Sequence, residues 1–98
     1  MIRGTLPIRI FKVAERSMEP TIKEGDYVVI NCWYRKIMIG DIILFHSPEN
    51  DFDLVKRVLS MRSGKIFALG DNKKVSIDSR DFGAFSKEQV VGIVMLII

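Results

Sequence analysis

The chain has 98 residues, 48% of them hydrophobic and 28% charged, and a net charge of +3. That balance excludes a disordered chain, and the length points to one domain spanning 1–98 with a modest core. Cys32 stands alone, which excludes an intrachain disulfide, and no apolar run reaches the roughly 18 residues of a membrane-spanning helix.

The first element is "IRIFKVA", Ile8 to Ala14, whose loose alternation predicts a strand. An irregular stretch follows, "ERSMEPTIKEGDYVVI", Glu15 to Ile30. Ser17 sits in it ahead of Pro20, which fixes its own φ and biases Glu19 towards an extended conformation. Ser17 has two readings, a plain turn residue or a nucleophile presented on a rigid turn beside backbone amides. Strands then start after Gly25-Asp26 and after Gly40-Asp41, in "GDYVVINCWY" and "GDIILFH". Gly before Asp is turn chemistry, because Gly accepts positive φ and Asp bonds nearby amides. "CWYRK", Cys32 to Lys36, reads as a strand end with a basic turn or as a membrane-interface segment. His46, the lone histidine, lies where a strand runs into a turn, and a Ser-His-Asp triad would have to use it.

"FDLVKRVLSM" is the next strand. Alternation puts Leu54, Lys56 and Val58 on one face and Val55, Arg57 and Leu59 on the other. Each face carries one cation among apolar residues. The long stem either snorkels to water, or Lys56 is buried with a lowered pKa and serves as a base. Arg57 cannot take that role because it stays charged. Leu54, Val58 and the lack of a carboxylate at adjacent strand positions favour the lowered value. "KIFALGDN" is a further strand, and "LGDNKKVSIDSRDFG", Leu69 to Gly83, is polar. It is either a surface loop with an Asp78–Arg80 pair or the support of a buried lysine. A short helix is expected from Ser86 to Val90, with Ser86 as N-cap and Gln89 at the capping-box position. The tail "VVGIVMLII" is too short to span a bilayer and β-branched enough to be a buried strand. The expected fold is mostly β: five or six short strands in a small antiparallel sheet or partly closed barrel, with at most one short helix.

"SMEPTIKEGDYVVI", "GDIILF", "LVKRVL" and "LGDNKKVSIDSRDFG" resemble, in order and spacing, the four boxes of the signal peptidase I family of Ser-Lys endopeptidases. The match runs from about Phe11 to Val94. The resemblance implies Ser17 as nucleophile and Lys56 as general base. It implies that Ser76 bonds the lysine, that Asp78 and Arg80 form a supporting ion pair with Ser79 nearby, and that Met18 lines the substrate groove. It also implies a precursor protein or peptide as substrate, cut after small residues, with no cofactor and no metal. Many members place a hydroxyl two positions before the nucleophile as an oxyanion donor. Here that residue is Glu15, whose ionised carboxylate only accepts hydrogen bonds, so the oxyanion is left to backbone amides, Ser17 N–H included. The long insertion and N-terminal anchor of larger members are not seen, and the chain is similar to the compact maturation proteases of nickel superoxide dismutase.

Two enzymes fit: a membrane-associated leader peptidase, or a cytoplasmic protease that matures one dedicated proprotein. The first needs an apolar surface near Ser17, from Met18, Trp33 or the C-terminal strand. A LexA-like self-cleaving domain would carry its own Ala-Gly or Cys-Gly site before the serine, and none is present. An inactive peptide-binding module would not need both dyad residues. The sequence has no dense Lys/Arg stripe interleaved with aromatics, which argues against nucleic acid as a partner.

Overall fold

Among the described residues the alternating segments pair as seven antiparallel strands in one sheet. The structure is a computed structural model that describes residues 6–47, 52–74 and 78–98. The strands are β1 (Ile8–Lys12), β2 (Tyr27–Asn31), β3 (Ile42–Ser47), β4 (Phe52–Arg62), β5 (Lys65–Leu69), β6 (Phe85–Ser86) and β7 (Val90–Ile97). Their order across the sheet is β1-β2-β7-β3-β4-β5-β6. The C-terminal tail is therefore an inner strand, inserted between β2 and β3, which accounts for its long uncharged run. The sheet stays open. Its seventh strand, the two-residue β6, was too short to leave a periodic signal.

Both early Gly-Asp turns form as their chemistry dictates. Gly25 and Gly40 hold φ of 93° and 95°. Asp26 Oδ2 accepts from Lys23 N–H and Asp41 Oδ2 from Met38 N–H, each at 2.8 Å. The third Gly-Asp pair differs: Gly70 N–H bonds Asp78, and Asp71 pairs with Arg57.

The expected helix near Ser86 is a short 3₁₀ turn, Lys87–Gln89. Its capping box forms as expected, with Ser86 N–H donating to Gln89 Oε1 at 3.0 Å. A one-turn helix, α1 (Ser79–Phe82), lies instead in the segment read as a polar loop. Asp78 caps it, accepting from Arg80 N–H, while Asp81 reaches back to Asp78 N–H. Four residues carry no hydrophobic period, so the capping pattern was the available signal.

Two apolar clusters cover the two sides of the central strands. Ile43, Phe45, Leu54, Val58, Ile66 and Phe85 belong to one, and Met18, Ile22, Val28, Ile30, Leu44 and Val55 to the other. Adjacent residues Ile43 and Leu44, and Leu54 and Val55, divide between the clusters, so β3 and β4 are buried on both faces. β7 crosses close over β2 at Gly92, where a Cβ would meet Ile30 Cγ2 at 2.4 Å and the Asn31 carbonyl oxygen at 2.6 Å.

The outer face of β1, β2 and the end of β7 is different. Ile8, Ile10, Tyr27, Leu96 and Ile98 are all exposed there, placed together by the register that sets Ile10 beside Val29 and Val29 beside Leu96. Among the described residues no helix is long and apolar enough to cross a membrane.

Candidate active site

Ser17 lies in the connection between β1 and β2, where Glu19 N–H bonds the Arg16 carbonyl and Ile22 N–H bonds the Met18 carbonyl. The loop after β5 clamps this turn. Asn72 N–H donates to the Ser17 carbonyl at 2.8 Å, and Asn72 Nδ2 donates to the Arg16 carbonyl at 3.1 Å. Asp71 N–H points at Met18 Sδ, and Asp71 Oδ2 accepts from Thr21 Oγ1 at 2.6 Å. Asp71 is in turn held by the Arg57 fork at 2.8 and 2.9 Å. That pairing keeps the Asp71 carboxyl below its ordinary range. Arg57 thus ties the loop to β4 while its neighbour Lys56 points the other way.

Lys56 is fully buried, with 0% exposure. Its Nζ lies 2.8 Å from Ser17 Oγ, itself a buried atom, across a separation of 39 residues. Burial pushes the lysine pKa down. Glu15, and more weakly Asp78, push it back up, and Arg80 lowers it. The net direction is downward, as an amine poised to accept a proton requires.

Asp78 is also fully buried. Arg80 grips it with two bonds at 2.6 and 2.9 Å, and Gly70 N–H adds a third at 2.9 Å. Its carboxylate is held by Arg80 and still acts on Lys56. Ser79 is buried, and its Oγ accepts from Ala68 N–H at 2.9 Å, which fastens α1 to β5. Met18 is wholly inside the second cluster, so the apolar patch cannot include it. Trp33 is 54% exposed. Ser76 lies outside the described residues. His46 is paired with Asp53 at 3.1 Å on the surface.

Sequence reasoning missed one contact at the centre. Glu15 Oε1 accepts from Ser17 Oγ at 2.7 Å and from Lys56 Nζ at 3.3 Å. The strand neighbours of Lys56 carry no carboxylate, but one arrives from 41 residues away. Beside it a pocket of about 340 Å³ opens between Phe11–Glu15 on one side and Leu44, Asp53 and Val55 on the other. Among the described residues no group of His, Cys, Asp and Glu could hold a metal ion.

Ser17 and Lys56 thus bring a buried hydroxyl into contact with a buried amine. A family model described as signal peptidase, peptidase S26, matches residues 1–63 and 59–98. Signal peptidase IB of Staphylococcus aureus (strain N315) is similar at 25% identity, with 93% of this chain and 78% of that protein covered. Signal peptidase I V of Bacillus subtilis (strain 168) is similar at 24% identity, covering 86% and 82%. The first alignment runs over 149 positions against 98 residues here, so the relative carries inserted segments.

Proposed function

Since the chain belongs to the signal peptidase, peptidase S26, family, we propose that it is a serine endopeptidase working through Ser17 and Lys56, which removes leader or pro-segments after small residues. The observation that carries this reading is the 2.8 Å contact between a fully buried lysine and a buried serine hydroxyl. The 98 residues act as one minimal catalytic unit.

In this reading the neutral Lys56 amine takes the Ser17 proton as Oγ bonds to the scissile carbonyl carbon. The carbonyl π electrons move onto oxygen, where backbone N–H groups, Ser17 N–H included, receive the charge. Collapse breaks the C–N bond, and the Lys56 ammonium protonates the leaving amine. Water, deprotonated by the same amine, then releases the acyl group. Asp78 and Arg80 hold α1 and the loop from Gly70 in place behind the lysine. The pocket along Phe11–Glu15 gives an extended precursor room beside the nucleophile.

The exposed apolar face of Ile8, Ile10, Tyr27, Leu96 and Ile98 supports a membrane surface as the place of action. Co-flotation with anionic liposomes tests that part. A protein that never floats favours the maturation of one dedicated proprotein in solution. The catalytic part is tested by incubation with a panel of precursor proteins and mass mapping of the products. Cuts after small residues are expected from the wild type and none from Ser17→Ala. Equal cutting by a folded Ser17→Ala variant would remove the nucleophile assignment.

A further inference from the structure

The position two residues before the nucleophile carries a carboxylate, and it touches both reacting atoms. Glu15 Oε1 lies 2.7 Å from Ser17 Oγ and 3.3 Å from Lys56 Nζ, while Nζ lies 2.8 Å from Oγ. These contacts close a triangle. The serine hydroxyl has one proton, and Glu15 Oε1 at 2.7 Å is an acceptor for it. Lys56 can give an N–H to Glu15 in either protonation state, since the amine keeps two N–H groups and the ammonium has three.

From this geometry we infer that Glu15 is a third working member of the catalytic centre, which orients the Lys56 amine and stabilises the ammonium formed when Lys56 takes the Ser17 proton. The inference rests on the Ser-Lys reading above. When Lys56 loses a proton, an N–H donated to Glu15 leaves the nitrogen lone pair free to face Oγ. The hydroxyl proton then turns from Oε1 to Nζ. As the Oγ–C bond forms, the proton passes to Nζ and a positive charge appears on a lysine with 0% exposure. A buried charge requires a partner. Asp78 acts on Lys56 from α1, but its carboxylate is gripped by the Arg80 fork and by Gly70 N–H. Among the described residues Glu15 is the carboxylate in hydrogen-bond contact with Lys56 Nζ. Its place corresponds to that of the aspartate in a Ser-His-Asp triad, which stabilises the charged base without taking the proton itself.

The same contact has an opposing effect. Glu15 raises the Lys56 pKa against the lowering by burial. The charged groups that act on Lys56 are Glu15 from the β1–β2 connection and Asp78 and Arg80 from the α1 region. Lys12 and Asp53 line the pocket onto which Glu15 opens. Removing the Glu15 charge should therefore shift the activity profile to lower pH and lower its plateau together. A residue that only supported the fold would not move the midpoint. A residue that only held the site closed would raise the plateau when removed.

The test uses p-nitrophenyl acetate as an acyl donor that needs no knowledge of the natural substrate. Acetylation of Ser17 is followed by intact mass against pH in wild type, Glu15→Gln, Glu15→Asp and Ser17→Ala. In parallel, the ¹³Cε resonance of Lys56, assigned through Lys56→Arg, is titrated in wild type and Glu15→Gln. The expected result is a lower Lys56 midpoint in Glu15→Gln and an acetylation plateau reduced by about 10- to 100-fold, the worth of one charge-assisted hydrogen bond. Glu15→Asp, which keeps the charge, should recover part of the rate. Wild-type protein that never gains an acetyl group at Ser17 overturns the protease reading and this inference with it. Wild-type protein that is acetylated at Ser17, with Glu15→Gln unchanged in both readouts or faster at its plateau, overturns the inference alone.

Discussion

Replacing Lys56 by methionine should stabilise the protein while ending its activity. The ammonium is fully buried, and its carboxylate partner Glu15 is 36% exposed. Such a pair recovers only part of the desolvation it incurs. Methionine keeps an unbranched stem among the apolar neighbours and removes the charge. Ser17 is not orphaned, because its hydroxyl still donates to Glu15 at 2.7 Å. Subtracting the lost Lys56–Ser17 bond, roughly 1 kcal/mol, from the gain on removing a buried charge leaves about 1–2 kcal/mol of added stability. For a chain of this size that is about 5–15 °C in Tm. The gain must also depend on pH with a defined sign. The folded-state pKa of Lys56 lies below the unfolded value of 10.5. Between those two values the unfolded chain binds more protons, so wild-type stability rises with pH. The advantage of Lys56→Met is therefore complete below the folded pKa and shrinks as pH climbs towards 10.5. Thermal melts of both proteins at several pH values read this directly. A variant less stable at every pH, or a gap that does not change with pH, would refute the argument that Lys56 is held against its solvation preference.

Lys56→Arg should be inactive in the precursor-cleavage assay although it keeps a positive charge, because guanidinium does not give up its proton. Gly92→Ala should lower the unfolding free energy measured in urea by on the order of 2–4 kcal/mol, since a Cβ there meets backbone oxygen at 2.6 Å. Asp71→Asn should loosen the Ser17 turn and reduce cleavage. In wild type the Arg57–Asp71 contribution is present above the unfolded carboxylate value of 3.8 and is lost as pH falls through the lower folded one, so acid titrations of the two proteins should converge. Asp78→Asn should weaken the Arg80 fork and lower stability in chemical denaturation, with Ser17 still present.

The sheet was legible because its strands obey a period of two and its turns are chemically explicit. Gly25-Asp26 and Gly40-Asp41 announce where β2 and β3 begin, and the structure realises both with the same aspartate-to-amide bond. The tail was legible as a strand from its β-branched residues. Its place between β2 and β3 was not, since that order depends on pairs as distant in sequence as Val28 and Ile97 on one side and Phe45 and Val90 on the other. The helix α1 and strand β6 escaped for a simpler reason: four and two residues span about one period each, so no repeat can show.

The site divides along the same line. Asp78 and Arg80 are two residues apart, so their pairing can be argued locally, and it forms. Lys56 could be singled out because a cation on an apolar strand face is anomalous wherever that strand packs. Glu15 offers no such anomaly. A glutamate before a turn is ordinary, and only its approach to Lys56 across 41 residues gives it a charge to compensate. Asn72 and Arg57 are alike in this respect, polar residues whose importance comes from the turn they clamp rather than from their own segments. The residues a sequence exposes are those whose environment conflicts with their chemistry. Those that relieve the conflict are ordinary until the fold brings them to it, and Glu15 is such a residue, set against the fully buried amine of Lys56.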